Sequence, residues 1–564
     1  MKRLCATVLI AVLVLLEDPT SLAFNGIDEQ FTLNSNENSS GKVGILFEEN
    51  VDTLRMPSLL FGYQWPSGAP ANVLDFCDGL SDSDCQQADY LKYYALMPPC
   101  KSQIDVDCIE SFYAVFPGSP ARIKGSFKEP IPESLDRPYI SNPENGLPQG
   151  SVSGIWEIPN VKHGGGSNSY AVIVSQVGSL KRSGSTWLPQ PPGSDPWGSG
   201  DFRAAIYPVT IVRDARYKSN TASISKQPSG VSAIGINHPS KLPFDVCAIV
   251  GNGVCALRQP FPEKIQFGLV IRFSKVINGW MHGRIDSPEI DYEVANGQTR
   301  VDMKGFAIKV PILAGWATPE EFSTEDRRRH PFLSNSNVGV NYPGASGSYS
   351  MEMLNIWTKV LKDKAVATPT QWTFYNLPER DLQSSSSCIK DSRTLAGFVT
   401  TNSTTYTATP PVFNEESGTL DYQVASPHFL PNGDVFQGKY NLYIDSNVAR
   451  CIYKFTNAPI SATVSVTSKD GGQQNVATTV IRESGGWLHL SATGFTFSAP
   501  TLKVKFSQNA KDLPAIKDSS STPAAVSKPT TKGKKMVIIC YKGKLTKKVI
   551  AVSPKCPTGY KSKA

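Results

Sequence analysis

The sequence predicts a mainly β, multidomain protein: β-sandwich-like modules with a few short helices and disulfide-stapled loops. Three observations carry this reading. Glycine and proline supply 44 and 42 of the 564 residues, interrupting helices too often for a coiled coil or helical bundle. Period-two alternation and runs of β-branched and aromatic residues recur along the chain. Eleven cysteines include three pairs at one shared spacing. At roughly 150 residues per domain, the length corresponds to several cores, and a hydrophobic content of 40% excludes global disorder.

The first 23 residues read as an export signal. Lys2 and Arg3 precede an apolar run from Cys5 to Leu16, and Ser21-Leu22-Ala23 places small residues at the minus-three and minus-one positions of a cleavage site before Phe24. An apolar run of this length reaches about 18 Å as a helix, short of the roughly 30 Å of a hydrocarbon layer, so no transmembrane anchor is expected. The expected location is secreted: extracellular or associated with the cell envelope.

Ten cysteines then remain, an even number suited to an oxidising compartment. Cys77 with Cys85, Cys100 with Cys108, and Cys247 with Cys255 enclose turn-forming residues, so each pair is expected to close its own loop. Cys388 with Cys451 and Cys540 with Cys556 complete the scheme. No CxxC unit or neighbouring histidine supports zinc, and no metal or cofactor is expected. Asp75, Asp78, Asp82 and Asp84 crowd the first loop and offer oxygens to calcium, without the spacing of a recognised calcium loop.

A cysteine-rich N-terminal region is expected over 24–140, with a helix from Asp84 to Met97 and a strand from Cys108 to Phe116. A central β-rich region over 141–384 contains the strand candidates YAVIVSQV from Tyr170, AAIYPVTIV from Ala204 and KIQFGLVIRFSK from Lys264. Glu289–Val294 and Thr299–Phe306 flank Asn296-Gly297, a strong hairpin signal because both residues tolerate positive φ. Two helical insertions are expected there. Thr318-Pro319-Glu320-Glu321 reads as a capping box with proline at the first helical position, and Met353, Trp357, Val360 and Leu361 form a helical apolar stripe.

A β-sandwich-like domain is expected over 385–510. Ala462, Val464 and Val466 alternate with polar residues, as do Leu502, Val504 and Phe506. Cys451 shares strand parity with Tyr453 and Phe455, which points it inward toward Cys388. A Ser/Thr/Pro/Lys-rich linker over 511–535 leads to a basic hairpin over 536–564, stapled by Cys540 and Cys556.

From Lys528 onward the chain carries eleven lysines and no acidic residue, whereas the region between the export segment and this tail is slightly acidic. Lys542, Lys544, Lys547 and Lys548 are the candidate contacts to an anionic cell-envelope polymer or surface. With the positive charge confined to one terminal segment, nucleic acid is not an expected partner. The tail's Cys540, Lys542-Gly543-Lys544, Lys547-Lys548 and Lys555-Cys556-Pro557-x-Gly559-Tyr560-Lys561 resemble a lysine-rich terminal element of uncharacterised secreted actinobacterial proteins. ARCIYKFTNAPISATVSV and GGWLHLSATGFTFSAPTLKVKFS resemble a β-rich module those proteins carry before it. The resemblance implies a bacterial secreted or surface protein and brings no catalytic residue with it.

No GxSxG, HExxH, GxxxxGK[ST] or EF-hand pattern occurs. One constellation remains: at strand period Trp280, His282 and Arg284 share a face, with Asp286 and Glu289 just beyond. A ring, a base and two carboxylates form a candidate glycan or phosphoester site, with His282, Asp286 and Glu289 as candidate catalytic groups and Trp280 and Arg284 as ligand contacts. The competing reading is a wet sheet face. Trp187 and Trp197, in a loop rich in proline and glycine, are further candidates for stacking on a glycan. His489 lies between Leu488 and Leu490 and is expected to be solvated. Two function classes follow: a noncatalytic secreted or envelope-associated protein with a binding or structural role, or a secreted hydrolase acting on polysaccharide.

Overall fold

The structure, a computed structural model, describes residues 41–47, 58–66, 71–131, 139–191, 194, 202–215, 221–226, 232–237, 247–251, 253–335, 340–457, 460–467, 473–474, 477–480, 483–497 and 501–508; in the tail it describes 536–542, 545–551, 556 and 560–562. The export segment and the linker expected at 511–535 lie outside the described residues. The chain divides into two compact units, Met1–Leu513 and Pro514–Ala564.

The first unit is organised by one long sheet. Its order is Asn72–Phe76, Leu59–Gln64, Tyr90–Leu96, Ser169–Ser183, Phe202–Arg213, Thr373–Asn376, Gly279–Arg284, Leu395–Thr401, Gly438–Asp445, Trp487–Phe495 and Ala477–Val480. Along this path the pairing is antiparallel except where Gly279–Arg284 meets Leu395–Thr401 in parallel. That pairing joins residues on both sides of the boundary expected at 384, so the C-terminal β region shares its sheet with the central one.

Both faces of the sheet are covered, and residue parity decides which side chain goes where. Val172, Val174, Ala204, Ile206, Met281, Phe374, Phe398 and Tyr443 pack on one side against Phe112, Phe267, Leu269, Ile271, Val301 and Met303. These partners belong to a five-stranded sheet ordered Asp286–Ala295, Gln298–Phe306, Gln266–Phe273, Cys108–Val115 and Arg122–Lys124. On the other side Trp280, Val399, Leu442, Ile444, Leu488 and Leu490 meet Tyr422, Val424, Val466, Leu502, Val504 and Phe506. Those belong to the sheet built from Thr419–Ala425, Thr501–Gln508 and Ile460–Thr467. Each such aliphatic or aromatic side chain contributes about 1.5 to 3 kcal/mol through burial, which makes the double sandwich the main source of stability.

Local chemistry explains several elements. Asn296 and Gly297 hold φ of 53° and 76°, the positive pair of a tight turn joining Asp286–Ala295 to Gln298–Phe306. Ser348–Val360 is a 13-residue helix that buries Met353, Leu354, Ile356 and Trp357. They pack on the small sheet containing Val43–Phe47 and Leu313–Ala317. Thr318 forms the expected capping box with Glu321, but over a single 3-10 turn, Pro319–Glu321.

Two expectations are corrected. The helix from Asp84 to Met97 is one short turn, Ser83–Gln86, followed by the strand Tyr90–Leu96. Neighbouring strands pair with both of its edges, and its two faces are buried in separate clusters, Leu91, Tyr93 and Ala95 in one and Tyr94 in the other, so Leu91, Tyr94 and Ala95 mimic a helical stripe without forming one. Cys451 lies on the helix Ser446–Tyr453 rather than on a strand. The Asp445 carboxylate caps this helix by accepting the Asn447 and Val448 N–H groups, and Lys454 ends it in left-handed conformation.

Four disulfides follow the expected pairing. Cys77–Cys85, Cys100–Cys108 and Cys247–Cys255 have Cα–Cα distances of 5.7, 5.1 and 5.4 Å. Cys388–Cys451 spans 5.9 Å between two helices. In the second unit Met536–Lys542 pairs antiparallel with Leu545–Ala551, and Lys561–Ser562 adds a third strand. Cys556 is disulfide-bonded; the side chains of Cys540, Lys542, Lys547 and Lys548, and all of Lys544, lie outside the described residues.

Candidate functional site

Trp280, His282 and Arg284 do share a face, but that face is an interior. All six residues of Gly279–Arg284 are buried because the strand sits mid-sheet between two packed layers. His282 is 1% exposed. Its Nε2 lies 3.4 Å from the Tyr422 hydroxyl, and the rings of Tyr375, Tyr406 and Tyr422 stand edge-on around it. Burial, with a smaller contribution from the Arg284 charge, holds this imidazole down at about 3. A base so weak and so sealed cannot collect a proton from a substrate.

Arg284 Nη1 donates to the carbonyls of Thr401 and Ser403 at 3.0 and 2.6 Å, and its guanidinium lies 4.5 Å over the Tyr406 ring. It secures the backbone that leaves Leu395–Thr401, so its surroundings are structural. Trp280 is fully buried against Gly397, where an added Cβ would meet the indole at 2.5 Å.

The two carboxylates go elsewhere. Glu289 is exposed on the outer sheet and pairs with Lys304 at 3.0 Å. Asp286 pairs with Lys439 at 2.5 Å and accepts a hydrogen bond from Ser287 at 3.1 Å. The three candidate catalytic groups therefore occupy three environments and form no site. Trp187 is buried with Leu147 and Leu180 beneath the Arg182 guanidinium, and Trp197 lies outside the described residues. His489 is also corrected: it faces opposite its leucines as parity requires, yet stacks on Tyr443 at 3.8 Å, where burial holds it down at about 4. In the first loop the Asp78 N–H donates to the Asp82 carboxylate at 2.7 Å. Among the described residues no group of three or more His, Cys, Asp or Glu is arranged to hold a metal.

Asp286 does reach a cavity. A cleft of about 800 Å³ opens where Cys108–Val115 and Gln298–Phe306 end and Gln266–Phe273 begins. Its apolar wall consists of Pro117, Pro260, Phe261, Pro262, Ile265, Phe306 and Ala307; its polar groups are Glu263, Lys264, Asp286, Lys309 and Thr370. The fold holds this wall from behind. Phe261 packs edge-on against Phe267 at 5.3 Å, and the Gly164 N–H donates to the Pro260 carbonyl at 3.0 Å. The loop carrying Gly164 is fixed by His163, whose Nε2 lies 3.0 Å from the Val209 carbonyl while Nδ1 accepts the Gly165 N–H at 3.0 Å.

Two non-glycine residues beside the cleft hold left-handed backbone, Lys264 at φ 60° and Ser287 at φ 48°. Such conformations are disfavoured for side-chain-bearing residues and tend to gather at ligand-binding places. Sequence reasoning passed over Gln259-Pro-Phe-Pro-Glu-Lys264 because it carries no motif; its one signal was two prolines bracketing a phenylalanine before a long strand. Comparison of the chain with protein-family models, with curated proteins and with solved structures returned no match.

Proposed function

We propose that this chain is a secreted, cell-envelope-associated, noncatalytic β-rich protein that holds a ligand in the cleft and is retained at an anionic envelope by its lysine-rich tail. The cleft carries the reading: a rigid, largely apolar cavity of ligand size whose one candidate catalytic group, Asp286, is engaged by Lys439. Placement outside the cytosol is supported by the four disulfides between regularly spaced cysteines and by the export-like N-terminus. The resemblance of the tail and the module before it supports a bacterial, actinobacterial-type surface protein. No helix among the described residues is long and apolar enough to cross a membrane.

The tail's part in this proposal rests on charge, and salt at about 1 M shortens the screening length to about 3 Å. Binding of the full mature chain to isolated bacterial envelopes tests it, with released soluble sugar measured in parallel. Retention that is lost in 1 M salt, lost when Lys542, Lys544, Lys547 and Lys548 become glutamate, and accompanied by no sugar release is expected. Salt-resistant retention overturns the tether, and sugar release overturns the noncatalytic reading.

A further inference from the structure

We infer that the cleft takes an uncharged, mainly apolar organic molecule, a lipid-like body bearing no more than one hydroxyl or carbonyl. This inference rests on the cleft being a binding site, as proposed above. Its volume of about 800 Å³ is that of a small-molecule site. Phe261, Ile265, Phe306 and three prolines, Pro117, Pro260 and Pro262, make the wall mostly C–H surface, so a polyhydroxylated sugar would leave most of its hydroxyls there without partners. An aliphatic body loses nothing on that surface and gains by leaving water. The proline rings also stiffen the wall, so little ordering is required when a ligand enters.

Charge at the rim gives neither sign of ion a hold. Asp286 is already matched by Lys439, and Lys309 is engaged by an interaction of its own. Glu263 and Lys264 remain, adjacent in the chain and opposite in sign, so what one offers an ionic head the other opposes. Either ion would give up hydration at the apolar wall without a net counter-charge to offset it. Among the described lining residues Thr370 is the one uncharged polar side chain, and its hydroxyl suits a single hydroxyl or carbonyl on the ligand.

Three ligands of one chain length make the test: 1-decanol, decanoate and decyltrimethylammonium, the ions below their micelle concentrations, titrated into the full mature chain with maltotriose as a sugar control. Decanol is expected to bind about tenfold or more tightly than either ion, a difference that ordinary calorimetry resolves, and the two ions are expected to bind alike within about threefold. Phe306→Asp is expected to remove decanol binding, and Pro117→Asp, at an exposed position, to weaken it in a chain that keeps its fold. Lys264→Glu unbalances the rim and is expected to give decyltrimethylammonium a several-fold advantage over decanoate. If either ion bound as tightly as decanol and lost that binding in Phe306→Asp, the cleft would stand as the site and the uncharged assignment would be overturned. Maltotriose binding lost in the same variant would likewise overturn the ligand class. If none of the three bound, or if decanol binding ignored both Phe306→Asp and Pro117→Asp, the cleft itself would be overturned as the site.

Discussion

The Lys439 ammonium reaches the Asp286 carboxylate across 153 positions of chain, tying the first residue of the outer strand Asp286–Ala295 to the central strand Gly438–Asp445. Lys439 is partly exposed, so the pair contributes at most about 1 kcal/mol to stability. Its larger effect is to neutralise a carboxylate at the cleft. Lys439→Ala should therefore leave the thermal midpoint within a few degrees. A fall of ten degrees or more would contradict the ranking of this pair as a minor contributor to stability.

Arg284 and Glu289 were neighbours in one candidate constellation, and the structure separates their consequences. Removing the buried guanidinium in Arg284→Met leaves the Thr401 and Ser403 carbonyls without their donor, at a cost of about 3 to 5 kcal/mol. Glu289→Gln alters an exposed ion pair and should change stability by about 0.5 kcal/mol or less. Chemical denaturation of both variants decides the matter; similar midpoints would contradict the assignment of Arg284 to the core.

What the sequence made legible was local. Asn296-Gly297 announces its turn because few dipeptides tolerate two positive φ values, and the eightfold cysteine spacing announces loops that close on themselves. Parity placed Trp280, His282 and Arg284 on one face correctly. It could not say that a second sheet covers that face, because coverage depends on Tyr422, Val424 and Val504, more than a hundred residues away. The same blindness turned the two-sided strand Tyr90–Leu96 into an expected helix. The cleft was illegible for a related reason: Pro117, Pro260, Phe306 and Thr370 converge only when three separate strand ends meet.

Acid should destabilise the fold before its carboxylates titrate. An unfolded imidazole titrates near pH 6.5, whereas burial holds His282 at about 3 and His489 at about 4 in the fold. The unfolded chain therefore takes up protons that the folded chain refuses, and stability present above about pH 6.5 is lost as pH falls toward those values. Glu110, held at about 2 chiefly by its hydrogen bond from Arg300, adds its loss only below the usual carboxylate range. At about 1.4 kcal/mol per unit, the two histidines together remove on the order of 4 kcal/mol at pH 5. Urea midpoints at pH 7 and pH 5 measure this. His489→Phe keeps the stack on Tyr443 and should cut the loss by about half; an unchanged loss would remove His489 from the explanation.

Disulfide contributions should scale with the loop closed. Cys388–Cys451 separates its partners by 63 positions, against 8 for Cys247–Cys255. Chain entropy gives about 4 kcal/mol for the first and about 2.5 kcal/mol for the second. Replacing both cysteines of each pair by alanine should lower the melting temperature more for 388/451 than for 247/255. The reverse order would show that the Cys247–Cys255 hairpin holds more than its own loop.

The most direct measurement is hydrogen–deuterium exchange of the full mature chain with and without an excess of isolated bacterial envelopes. Added protection is expected in peptides covering Pro260–Ile265 and Phe306–Lys309, with none in Gly279–Arg284, whose amides are already sequestered at mid-sheet. Protection absent from the two cleft segments and appearing elsewhere, such as Met536–Ala551, would place the ligand outside the cleft and contradict its assignment as the working site.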